Sequence, residues 1–150
     1  MSTMKNVNEP FAYCITQNLS GFTSESLSLK IKPVHFNSAK MQFGLDYNYQ
    51  NTQPVVLLHC TINKPTSVIT CKNNGTKTLS KYIQLPVNLD DVNAEYCAEV
   101  NRELRTIRFL MNGEQLHDGD IPIPLSMEQL NNSYFNVHLF APGDCMHISD

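Results

Sequence analysis

The chain carries five histidines and five cysteines, enough to raise the question of a Cys-His nucleophile or a zinc site. Either chemistry needs its side chains at set intervals. No pair falls in Cys-x-x-Cys, His-Glu-x-x-His or Gly-x-Ser-x-Gly spacing. His117 beside Asp118 and Asp120 is the one cluster with acid–base character, and a polar turn accounts for it equally well. The aspartates of the Asn88 to Asn93 loop, with Glu95 nearby, lack the Asx-rich spacing and the glycine of a calcium loop. The sequence therefore predicts no catalytic residue, no metal and no cofactor.

A histidine can instead hydrogen-bond from the open face of a sheet, and His59 is placed for that. It lies in Val55 to Asn63, the most apolar run of the chain, which reads as a central strand. Side chains alternate across a strand, so Val55, Leu57, His59, Thr61 and Asn63 share one face. Val56, Leu58, Cys60 and Ile62 share the other, greasier one. A histidine on such a strand is most often held by hydrogen bonds as part of the structure, and that reading stands beside the functional one.

The elements that must position His59 are strands as well. Leu27, Leu29 and Ile31 alternate with Ser26, Ser28 and Lys30, and Met41, Phe43 and Leu45 repeat the pattern before a polar Asp46 to Gln53 connection. Val68 to Lys72 is β-rich, and Asn73-Asn74-Gly75-Thr76 reads as a turn. Asn112-Gly113 is the pair that a two-residue type I′ hairpin prefers. The prolines of Ile121-Pro122-Ile123-Pro124 confine that stretch to an edge, and Ser126 and Gln129 have capping-box spacing for a single helical turn. Phe135, Val137 and Leu139 close the run opposite Tyr134, Asn136, His138 and Phe140. About ten short strands without a long helix predict an all-β sandwich.

Composition bounds what such a domain does. At 150 residues, with no long Pro, Gly or Ser linker, one domain over 10–150 behind a flexible tail over 1–9 is expected. A formal charge of −3 gives no electrostatic reason to expect nucleic acid or a membrane surface as partner. No stretch has the length of a signal peptide core or a membrane span, so a cytoplasmic location is expected. The odd number of scattered cysteines suits free thiols. Sequons at Asn18, Asn74 and Asn131 would matter only in the secretory pathway.

The organising strand resembles the galectin (S-type lectin) strand Leu-His-Phe-Asn-Pro-Arg, whose His, Asn and Arg hold galactose hydroxyls; the matched positions here are His59, Thr61 and Asn63. The resemblance extends from Pro10 to Phe140 in element order. It includes a Pro-aromatic start, a Leu-x-Ile strand with Pro33 near the family's glycine, Leu85-Pro86-Val87 for the Phe-Pro-Phe strand, and the Asn-Gly hairpin. It implies a galectin-like jelly-roll β-sandwich of two antiparallel sheets.

The galectin Asn of the next strand falls on Lys72, or on Asn73 with a one-residue slip. Thr76, Leu79 and Lys81 fall at the Trp, Glu and Arg of the family's Trp-Gly-x-Glu-x-Arg, and the chain has no tryptophan. The resemblance thus implies a carbohydrate set of His59, Thr61, Asn63, Lys72, Asn73 and Lys81. Without the ring that packs on galactose or the planar fork of an arginine, ordinary β-galactoside binding is expected to be weak or lost. A glycan or glycoprotein is one partner class. A protein partner or a homodimer, through edges at Phe11 to Ile15 and Phe135 to Phe140, is the alternative. Galectins leave cells without a signal peptide, so the resemblance also allows unconventional secretion.

Overall fold

The computed structural model describes residues 2–5, 12–19, 24–35, 40–49, 53–63, 66–84, 94–140 and 145–149. Their strands are β1 (Ser2–Lys5), β2 (Ala12–Asn18), β3 (Ser26–His35), β4 (Lys40–Tyr49), β5 (Gln53–Asn63), β6 (Ser67–Asn73) and β7 (Thr76–Ile83). There follow β8 (Tyr96–Asn101), β9 (Thr106–Met111), β10 (Glu114–Gln115), β11 (Ile121–Pro122), the short helix α1 (Met127–Asn131), β12 (Tyr134–Leu139) and β13 (Cys145–Ser149). One sheet has the order β1-β13-β3-β8-β9-β10, with β11 also on β9; the other runs β2-β12-β4-β5-β6-β7. All pairings are antiparallel.

The two sheets close on one core, and the alternation read from sequence decides what enters it. Phe43 of β4 meets Tyr96 of β8 and Phe109 of β9, with ring centroids 6.2 and 5.6 Å apart. Around them pack Leu29, Ile31, Met41, Leu45, Leu58, Cys60, Ile62, Ile69, Val137 and Met146, all buried. Full burial pushes the Cys60 thiol pKa far up, so this cysteine behaves as a small apolar residue. Cys97 is pushed up to about 11, first by burial and then by Glu99. Cys60, Cys71, Cys97 and Cys145 are free thiols, in keeping with the scattered spacing.

Local signals fall where the sequence puts them. Asn112 and Gly113 take φ of 52° and 81°, as do Asn74 and Gly75 at 51° and 81°, each pair turning one strand into the next. Ser126 caps α1, and Gln129 returns the bond to complete the capping box. Pro122 lies on β11, which among the described strands pairs only with β9.

Three expectations are corrected. The polar Asp46–Tyr49 segment is not a connection but the second half of β4, where Asp46 pairs with Leu57 and Tyr47 with Val56. Phe135 to Leu139 is not an edge, because β12 lies between β2 and β4. Ser2–Lys5, expected as tail, forms β1 on the flank of β13; its polar sequence has no apolar period to announce it. The Leu85-Pro86-Val87 strand, the Asn88 to Asn93 loop and Gly21 lie outside the described residues.

Candidate functional site

Register places the organising strand's open face. Val56, Leu58, Cys60 and Ile62 enter the core, so Leu57, His59, Thr61 and Asn63 point out of the six-stranded sheet. Across that face His59 stands between Gly44 of β4 and Thr70 of β6. Gly44 is required there, because a Cβ would overlap the Leu58 carbonyl oxygen and come within 2.8 Å of His59 Cα and 3.0 Å of its Cδ2. The missing side chain leaves room for the imidazole.

That imidazole is consumed by its neighbours. Its Nε2 donates to Asp46 Oδ1, and Gln42 Nε2 donates to its Nδ1 at 2.7 Å. Asn136 Nδ2, arriving from β12, donates to Asp46 Oδ2. His59 is 3% exposed, Asp46 2% and Asn136 0%, so the network is sealed although it sits on the outward side of the sheet. A buried carboxylate is tolerable only when donors occupy its oxygens, and here both are occupied. The ring of His138 lies 6.0 Å from that of His59 at its border. Burial, and secondarily His59, lowers the His138 pKa, with Asp46 pulling the other way.

The β6–β7 side of the same face is open. A β-bulge sits between Cys71 and Lys72, pairing Cys71 with Leu79 but Lys72 with Lys77, so Thr78 is the extra residue. On the turn side of the bulge Lys72 and Lys77 stand opposite each other on the outer face, and beyond it Tyr82 stands opposite Val68. A cleft of about 420 Å³ runs from Gln42, Asp46 and His138 past Leu57 and His59 to Thr70, Lys72 and Lys77.

Of the residues the resemblance implied, His59, Thr61, Asn63 and Lys72 lie on this outer face, and only His59 and Lys72 line the cleft. Thr61 stands one row away, between Gln42 and Val68, and Asn63 stands opposite Lys40. Asn73 opposes Val56 and Lys81 opposes Ile69, both core residues, so these two positions belong to the inward side. Lys81 Nζ donates to the Asp118 carbonyl oxygen at 3.2 Å, tying β7 to the β10–β11 turn. Gln42, Asp46, Lys77 and Asn136 were missed. Asp46 and Asn136 are 90 residues apart and carry no joint signal in one sequence, and Lys77 reaches the face through the pairing with Lys72 that the Asn74-Gly75 turn sets.

His117 is structural. Its Nε2 accepts from the Phe109 backbone N–H at 3.0 Å and its Nδ1 donates to the Gly119 carbonyl at 2.8 Å. Burial lowers its pKa, against the backbone bonds to Gly119 and Asp118. Among the described residues no group of three or more His, Cys, Asp or Glu is placed to hold a metal ion.

No protein-family model matches the sequence, and no curated protein matches it either. Solved structures do resemble the fold. Galectin LEC-6 of Caenorhabditis elegans aligns over 99% of this chain and 96% of its own, at 12% identity and TM-score 0.59. Toad ovary galectin, solved with thio-digalactose, aligns over 95% of this chain and 100% of its own, at 10% identity and TM-score 0.57. The SPRY domain of human HERC1 aligns over 95% of this chain and 84% of its own, at 14% identity and TM-score 0.60. The fold is a galectin-like β-sandwich, an architecture that the SPRY domain shares.

Proposed function

We propose that the protein is a non-enzymatic binding module with a degenerate carbohydrate site on its six-stranded sheet, in which ordinary β-galactoside binding is weak or lost. The observation that carries this is His59. Both of its ring nitrogens are engaged by Gln42 and Asp46 inside a sealed network, which leaves the ring no free position for a sugar hydroxyl. The chain also has no tryptophan to pack on a galactose ring, and Lys81 is directed to the Asp118 carbonyl instead of the outer face. Thr61, Asn63 and Lys72 remain as the surface of the proposed site.

The test is an amide NMR titration with lactose and N-acetyllactosamine to tens of millimolar, which detects affinities near 1 mM, about 4 kcal/mol. A flat response, or shifts too weak to saturate, is the expected result. Saturable shifts clustered on His59, Thr61 and Asn63 would restore ordinary lectin activity and overturn the reading.

A second reading, a protein-contact or self-association module, draws on one observation. Tyr82 is 72% exposed on β7, which ends the six-stranded sheet, and such an edge with an aromatic side chain suits strand addition. Sedimentation across a concentration series, with Tyr82→Ser as the comparison, separates the two: a dimer lost in the variant favours the second.

A further inference from the structure

We infer that the open half of the six-stranded face takes an acidic glycan, with a sulfate, phosphate or carboxylate group of the sugar seated between Lys72 and Lys77. This deepens the proposed carbohydrate reading and rests on it. The starting observation is the register: Lys72 is paired directly with Lys77 across β6 and β7. Like charges held opposite each other on one face repel, and a fold gains nothing from that arrangement on its own.

Charge compensation is not supplied among the described residues. Among the described residues neither lysine makes an ion pair. The carboxylate on the same row is Asp46, which pairs with Leu57, the neighbour of Lys72. Its oxygens accept from His59 and Asn136, and its side chain is sealed. Both lysines therefore line the cleft with no carboxylate paired to them among the described residues, and an anion between them would satisfy both.

The rest of the open half argues for a sugar carrying the anion. Leu57 gives an apolar contact and Thr70 a hydroxyl beside the lysines. The volume of about 420 Å³ is that of a small-molecule site. A neutral galactoside would leave the lysines unused and find His59 already bonded. An acidic sugar uses what the sealed network has left available.

The test compares three probes by amide NMR at constant ionic strength: galactose 6-sulfate, galactose and inorganic sulfate. Galactose 6-sulfate is expected to shift Leu57, Thr70, Lys72 and Lys77 and to bind about tenfold more tightly than galactose, with affinity falling as salt rises. The K72Q/K77Q double variant should lose that advantage. Because both lysines are exposed and mutually repelling, the variant should melt no lower than the parent, which checks its folding.

Equal binding of the two sugars, unchanged in the variant, would overturn the anion site while leaving a sugar-binding face intact. Inorganic sulfate binding the same residues as tightly as the sugar sulfate would overturn the glycan. Silence from all three would overturn the proposal. A glutamate-rich peptide displacing the sugar sulfate at equal concentration would also overturn it, in favour of an acidic protein segment. Lactose engaging His59 would sink the degenerate-site reading separately, since the sulfated-to-neutral ratio and its loss in the variant are read independently.

Discussion

The six-stranded face is two surfaces in one sheet. Across β12, β4 and β5 it is closed, with Asp46, His59 and Asn136 buried and bonded to one another. Across β6 and β7 it is open, with Lys72, Lys77 and Tyr82 in solvent. A polar side chain on an outward face is not thereby available. What decides is whether the neighbouring strand brings a partner: β4 and β12 bring partners to His59, whereas beyond β6 lies only the edge strand β7.

The largest effects should come from breaking the closed half. Asp46→Ala strands His59 and Asn136 without their shared acceptor, and urea unfolding should show a loss of about 3–5 kcal/mol. Gly44→Ala forces a Cβ into the Leu58 carbonyl and the His59 backbone, and the same measurement should show a loss of about 3 kcal/mol.

Acid should loosen this half next. Burial holds the His138 pKa below its ordinary 6.5, so the folded protein binds fewer protons than the unfolded chain. Its contribution is full above about pH 6.5 and is lost as the pH falls from there through the folded value. His117 acts in the same direction. Melts from pH 7.5 to 5 should show Tm falling below pH 6.5, and His138→Gln should shallow the slope.

The smallest effect belongs to the open half and has the opposite sign. Lys72→Gln relieves the repulsion from Lys77 and should raise Tm by about 1–2 °C at low salt, with the gain vanishing at high salt. A fall of several degrees would mean that Lys72 holds structure, and the contrast between the halves would be blurred.

The fold was readable from sequence because each strand carries its own period. Leu27-Leu29-Ile31, Met41-Phe43-Leu45 and Phe135-Val137-Leu139 all enter the core as their alternation requires. The turns at Asn74-Gly75 and Asn112-Gly113 were readable for a similarly local reason, since few residues accept positive φ. The site was not local. Asp46 looked like loop because a charged residue amid polar ones gives no strand signal, and its partner Asn136 is supplied by topology alone. Thr78 is a bulge that no residue type announces, yet it settles that Tyr82 faces outward while Lys81 faces in.

His59 is spent inside the molecule. The measurement that reaches it most directly is the long-range ¹H–¹⁵N spectrum of the histidine rings, recorded with and without lactose, because it reports which nitrogen carries the proton. The expected His59 ring is protonated at Nε2 and accepting at Nδ1, slow to exchange with water and unmoved by lactose at tens of millimolar. A His59 ring that exchanges freely with solvent, or whose nitrogens shift as lactose is added, would contradict it.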